Sequence, residues 1–308
     1  MSTPHIVVSK YLADVGAVAK VTPQSLKPWI DSGEISIGVD GDDDKFVVSW
    51  GGPSKSMAAG GSGVVFETGF FWDGAHVDYC GLYQNCTLGA PSARRIIGNF
   101  KAPAHAADIV LGGPTPPSKY RQTGDEEVFW DGVVLAAQNP TDRSIRVGGS
   151  TEGYWEFFEG ACKKYGPHLF VKKHPWNSGD VEKRMDEIAA EYKCRCEKTN
   201  HSVIKNCKFV LVYNSTFAVD CFIRLIPVAQ YAPGYFSSTP AVTYTDRELP
   251  DSVKDTVDAG MKLADFLIWR YCINMNMPIE KWVRLFKHLA TTPTLFPIDG
   301  EFSYAANL

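Results

Sequence analysis

The chain is 308 residues long, 44% hydrophobic and 21% charged, with a formal net charge of −4. That length suits two domains of ordinary size, and the apolar content is ample for two cores. The net charge argues against a general electrostatic grip on nucleic acid or acidic membrane, and no apolar run is long enough to cross a bilayer.

The first sixteen residues lack the basic start and long apolar stretch of a signal peptide. Eight cysteines, Cys80, Cys86, Cys162, Cys194, Cys196, Cys207, Cys221 and Cys272, form no paired CxxC knuckles. Together these features predict reduced thiols in a cytoplasmic protein. Cys194 and Cys196 read as two thiols on one face of a strand rather than as a metal site.

Along the chain, residues 5–10, 45–52 and 61–71 contain strand-like runs. Residues 91–101 resemble a helix and 107–113 a strand. Residues 1–111 are thus expected to form an α/β layer with more loop than usual. Residues 112–127 are rich in Gly and Pro, carry no apolar period and are the expected linker. The pattern then becomes regular. Strands are predicted at 128–138, 168–175, 194–198, 208–214 and 226–231. Helices are predicted at 151–166, 178–193 and 215–225, with a short helix or turn at 201–207. Ser150 or Thr151 caps the first of these helices, and Gly166 lies just past its end. Strands alternating with helices imply a parallel sheet covered on both faces, a Rossmann-like domain over 128–250. Residues 251–275 and 278–291 read as helices, within a tail of 251–308 expected to pack across both domains.

In an open parallel sheet, ligands bind beyond the carboxyl ends of the strands. One predicted strand ends at Gln138-Asn139-Pro140, followed by Thr141-Asp142. The next ends at His174-Pro175, and a third at Asn214-Ser215-Thr216, directly before a helix. Each has a plain structural reading on its own, as a cap or a strand stop. A helix N-terminus with hydroxyls is also an anion site, and three such groups at equivalent strand ends point to a bound phosphate.

Over about residues 128–236 this order of motifs resembles the glycosyltransferases of bacterial capsule-polysaccharide synthesis, and more distantly the bacterial sialyltransferases. The matching residues are Gln138 and Asp142; Lys172, His174 and Pro175; Asn214, Ser215, Thr216 and Asp220, the last standing where the family usually has Glu; and the stretch IPVAQYAPGYF. The resemblance implies an α/β fold of the GT-B type, two Rossmann-like domains facing a central cleft. It implies a nucleotide-sugar donor, UDP-glucose or a CMP-sugar, held by the C-terminal domain through these residues. His174 and the Ser/Thr turn would contact its phosphate, and neither metal nor other cofactor is expected. A hexosyl or Kdo/sialyl-type transfer follows. The acceptor is a glycan, or a hydroxymethylated pyrimidine in DNA as in short phage enzymes. A non-catalytic nucleotide- or sugar-binding module and a nucleotide-sugar epimerase of the same fold are the alternatives.

The N-terminal half matches less well. Thr68 stands where the sialyltransferase relatives place their base, which leaves Glu67, Asp73 and Asp78 as candidates. Asp73 is preferred because it follows an apolar run, where desolvation favours proton abstraction. The Asp40–Asp44 run, with Gly41, reads as a turn. The glycine-rich 50–63 segment has no phosphate-loop spacing, and the aromatic 70–83 segment suits either ring stacking or core.

Overall fold

The computed structural model describes residues 5–15, 20–38, 45–51, 57, 61–113, 128–292, 294–298 and 300–308. The acidic run at 40–44, most of the glycine-rich 50–63 segment and most of the expected linker lie outside the described residues. Two compact units make up the chain: Met1–Thr87 with Phe266–Leu308, and Leu88–Asp265.

In the first unit, β1 (Ile6–Ser9) is followed by the short helices α1 (Lys10–Val15) and α2 (Lys27–Asp31), then β2 (Ile35–Gly38), β3 (Phe46–Trp50), β4 (Gly63–Thr68) and β5 (Gly74–Asp78). Strands β2, β1, β3 and β4 run parallel, in that spatial order. β5 turns back antiparallel on β4, and the strand Cys272–Asn274 pairs antiparallel with β5. β1 and β3 are near-continuous apolar runs, as strands buried on both faces must be. The helix Ile279–Thr291 buries Trp282, Val283, Leu285, Phe286 and Leu289 as one stripe. Trp282 and Phe286 meet Phe66 of β4 at ring-centroid distances of 5.7 and 6.1 Å.

Residues 251–275 are not the single helix expected. An α-helix spans only Val257–Phe266, a wide turn covers Leu267–Tyr271, and the chain then becomes the strand Cys272–Asn274. The stretch Leu-Ile-Trp-Arg-Tyr-Cys-Ile is mostly apolar, so periodicity cannot separate buried helix from buried strand. Pairing with Gly74, Ala75 and His76 decides for strand.

In the second unit, α3 (Pro91–Asn99) and α4 (Ala106–Gly112) precede β6 (Val133–Ala136), α5 (Arg143–Gly148), α6 (Thr151–Tyr165), β7 (Leu169–Lys172), α7 (Gly179–Glu191), β8 (Arg195–Glu197), β9 (Phe209–Val212), α8 (Ala218–Ile223), β10 (Val228–Gln230), β11 (Thr243–Tyr244) and α9 (Val257–Phe266). All six strands are parallel, in the spatial order β8-β7-β6-β9-β10-β11. Counted along the chain this is 3-2-1-4-5-6, the doubly wound Rossmann order. Leu135, Val171 and Leu211 of three neighbouring strands share a core with Tyr154, Phe157 and Phe158 of α6. Ser150 caps α6, accepting from the Gly153 N–H at 2.9 Å, and Gly166 closes it with a φ of +51°.

Two expectations are corrected here. The stretch expected as a strand at 107–113 is helix α4 up to Gly112, with Ala106 and Val110 buried one turn apart. The division of the chain falls after Thr87 and Asp265 rather than at residues 112–127. The cause is visible at α4. Asp265 takes the Ala106 N–H at 2.6 Å and meets His105 Nδ1 at 2.8 Å, which ties this helix to the second unit.

Candidate active site at the strand ends

β6 and β9 are neighbours where the strand order reverses, so the site is sought beyond their carboxyl ends. Gln138 and Asn214 lie there, only 5% and 3% exposed. They lock onto each other. Gln138 Nε2 donates to Asn214 Oδ1 at 3.1 Å, and the Asn214 N–H donates to Gln138 Oε1 at 3.1 Å. Asn214 Nδ2 also donates to the Ser144 and Pro233 carbonyls at 2.7 and 3.1 Å. The Gln138 backbone exchanges hydrogen bonds with the Tyr154 hydroxyl. These amides are consumed inside the unit, so they shape the strand ends. Neighbouring backbone packs tightly on them: a Cβ on Gly148 would lie 2.4 Å from Asn214 Nδ2.

Ser215 and Thr216 follow, half-buried. The helix expected from Ser215 begins at Ala218 instead, after a tight turn. Ser215 Oγ accepts the Phe217 N–H at 3.1 Å, and its carbonyl accepts from the Ala218 N–H at 3.3 Å. Accepting at oxygen leaves the serine hydroxyl a proton to donate.

His174 extends past the end of β7. Its Nδ1 accepts the Trp176 N–H at 3.2 Å, and its carbonyl accepts the Asn177 N–H at 3.3 Å. With Nδ1 acting as acceptor, the neutral ring carries its proton on Nε2. Two residues past β7, the His174 ring thus carries its N–H at Nε2 when neutral.

Lys172 and Asp220 lie deeper. Lys172 is 3% exposed, and its ammonium lies 5.3 Å from the centre of the Phe217 ring. Burial pulls its pKa down to about 8, and the charge of Asp220 works against that shift. Asp220 Oδ1 lies 3.3 Å from His201 Nε2 and 3.6 Å from Arg224 Nη1. The histidine contact is close but off the line of a hydrogen bond, and His201 Nε2 has no other partner among the described residues. Asp220 thus serves a buried ionic cluster. His201 escaped the sequence reading because its partner lies in another element. Asp142 is exposed and caps α5, accepting the Ser144 N–H at 2.8 Å.

The three candidate bases lie in the first unit and are dispersed. Glu67, near the carboxyl end of β4, folds back to accept the Thr68 N–H at 2.7 Å. Asp73 occupies the β4–β5 hairpin at a φ of +49°, and its Oδ2 accepts from Asn276 Nδ2 at 2.8 Å. Asp78 ends β5, which runs antiparallel, so it lies toward the opposite end of the strands from Thr68, paired with Val65. It is 1% exposed and accepts the N–H groups of Cys80, Gly81 and Thr87 and the hydroxyls of Thr87 and Tyr271, at 2.6–3.0 Å. Burial raises its pKa and these donors oppose the rise. Five donors saturate the carboxylate, and it knots the loop after β5 to Tyr271.

Cys194 and Cys196 both pack on the core of the second unit. Among the described residues no three His, Cys, Asp or Glu side chains converge in a metal-holding group. No helix among them is long and apolar enough to cross a membrane. A cavity of about 260 Å³ lies apart from the strand-end residues, between α3 and α9, lined by Arg94, Ile97, Ala241 and Leu263 among others.

No protein-family model and no curated protein matches the sequence. Among solved structures, one described as a beta Kdo 2,4 transferase, KpsC of Thermosulfurimonas dismutans, is similar with a TM-score of 0.59 at 13% identity, over 94% of this chain and 99% of that one. The beta Kdo 2,7 transferase KpsC of the same organism is similar with a TM-score of 0.49 at 13% identity, over 92% and 99%. MnaA of S. aureus, solved with UDP, has a TM-score of 0.35 at 10% identity, over 99% and 94%. The first of these carries the assignment of fold. The chain is an α/β protein of the GT-B type, with two Rossmann-like units.

Proposed function

We propose that the chain is a glycosyltransferase that moves a sugar from a nucleotide-sugar donor to an acceptor hydroxyl. One observation carries this reading above the rest. The donor at His174 and the Ser215-Thr216 turn occupy carboxyl ends of β7 and β9, the strands on either side of β6. That is where a doubly wound sheet binds a phosphate. The likeness in fold to a Kdo transferase supports a sugar-acid donor of the Kdo/sialyl type and a glycan acceptor. The net charge of −4 counts against the DNA alternative.

In the reaction, the bond from the anomeric carbon to the phosphate oxygen breaks, and negative charge grows on the departing phosphate. His174 Nε2–H and the Ser215 hydroxyl donate to that charge. The acceptor hydroxyl attacks the anomeric carbon and gives its proton to a carboxylate. Asp73 is the assigned base and Glu67 the second choice, since Asp78 has no open lone pair.

A thermal-shift screen against nucleotides and nucleotide sugars is the direct test, because a tight ligand raises the melting temperature by mass action. CMP- or UDP-linked compounds should stabilise the protein, and silence across the panel would reject the reading. His174→Ala should then lower turnover by about 10²-fold, the usual cost of one such donor. Asp73→Asn should abolish transfer with nucleotide affinity kept. Transfer retained within a few-fold would move the base to Glu67. Assays with a glycan and with hydroxymethylated DNA separate the two acceptors.

A further inference from the structure

Of the eight tryptophans, Trp176 alone is exposed, at 71%, whereas Trp50, Trp155 and Trp282 are 9% exposed or less. A tryptophan is a costly side chain to leave in water. Its backbone, by contrast, is fastened. The Trp176 N–H donates to His174 Nδ1, the Asn177 N–H donates to the His174 carbonyl, and the buried Asn177 side chain lies on Met185 of α7 at 3.4 Å. The turn is thus held on both sides of an indole that it presents to solvent. Fixing the backbone that carries the ring lowers part of the entropy cost of stacking on it.

We infer that Trp176 is the floor of a sugar-binding subsite, on which the pyranose ring of the donor lays its apolar face. This rests on the glycosyltransferase reading. The imidazole and indole centroids are 6.1 Å apart and the rings are near perpendicular. The glycosyl ring is bonded directly to the phosphate that His174 contacts, so a sugar one bond beyond that phosphate falls within reach of the indole. The nucleoside, attached on the other side of the phosphates, does not need this surface. Trp176 therefore distinguishes nucleotide sugar from free nucleotide, while His174 recognises what the two share.

The test uses the full chain as parent, Trp176→Ala and Trp176→Phe, with calorimetry and intrinsic fluorescence. The probes are CMP, UDP, CMP-sialic acid and UDP-glucose. Neither substitution removes the backbone N–H that fixes His174. Trp176→Ala should weaken the preferred nucleotide sugar about tenfold, with the matching free nucleotide changed less than about twofold, and Trp176→Phe should retain most of the affinity. The parent's fluorescence should respond to the nucleotide sugar more than to the nucleotide, and that difference should vanish in both variants. Equal losses for nucleotide and nucleotide sugar, or none for either, would overturn the subsite. So would a raised KM confined to the acceptor. A parent that binds none of the four probes removes the glycosyltransferase reading itself. A parent that prefers nucleotide sugar, with Trp176→Ala keeping that preference, removes only the subsite.

Discussion

Lys172 pays a desolvation penalty that most lysines avoid. It lies at the end of β7, beneath the Phe217 ring and within the field of Asp220, and its pKa falls from 10.5 to about 8. A lysine lowered in the folded state binds fewer protons there than in the unfolded chain between those two pH values. Stability from this group therefore rises with pH across that window and is lowest below about pH 8. Lys172→Met should be more stable than the parent near pH 7.5. That advantage should shrink by about 3 kcal/mol by pH 10.5. Urea unfolding of both proteins at the two pH values checks it, and the difference between them cancels the titration of buried tyrosines and cysteines. An advantage that stays constant with pH would mean that Lys172 has the same pKa folded and unfolded, and so carries its charge in the fold. At this scale the sequence reveals what local chemistry determines. His174 before Pro175, and Ser215 after a strand, carry their meaning in adjacent residues. Gln138 and Asn214 do not, because they have partners 76 and 70 residues away, and the Asp78 knot includes Tyr271, 193 residues away, beside its near neighbours.

Among the elements, the second unit was the readable one. A central strand flanked by strands on both sides is a continuous apolar run, and helices of thirteen and fifteen residues between such runs show their caps and periods. The misread elements were those whose identity depends on a distant pairing. The strand Cys272–Asn274 exists because β5 offers an antiparallel edge. Helix α4 exists because Asp265 anchors its first turn. Close packing at the strand ends gives a test of the Gln138–Asn214 lock. Gly148→Ala would drive a methyl into Asn214 Nδ2 and the Pro233 carbonyl, and should cost about 2 kcal/mol. Gly98→Ala, inside α3 with nothing within 4 Å of the new carbon, should instead stabilise by about 0.5 kcal/mol through helix propensity. Chemical denaturation of the pair provides the contrast. A Gly148→Ala protein as stable as the parent would mean that the lock yields freely.

At the scale of the molecule, the two units differ in how the chain builds them. The first is discontinuous. Its sheet and core need Cys272–Asn274 and the helix Ile279–Thr291, which arrive after the whole of the second unit. The second is one uninterrupted stretch, Leu88–Asp265, with six parallel strands, its own core around Leu135, Val171 and Leu211, and every residue proposed for donor binding. A fragment of residues 88–265 should therefore fold alone, with cooperative unfolding and an α/β circular dichroism spectrum. The complementary cut, residues 1–87, should not fold, because it lacks the strand that pairs with β5 and the helix that covers β4. If the donor is held by His174 and Ser215, the isolated 88–265 fragment should bind the free nucleotide within about tenfold of the full chain, and it should catalyse no transfer, since Asp73 and Glu67 are gone. Calorimetry on the fragment and on the fragment carrying His174→Ala decides this. A folded fragment with no nucleotide affinity would show that the strand ends of this unit are insufficient to hold the donor.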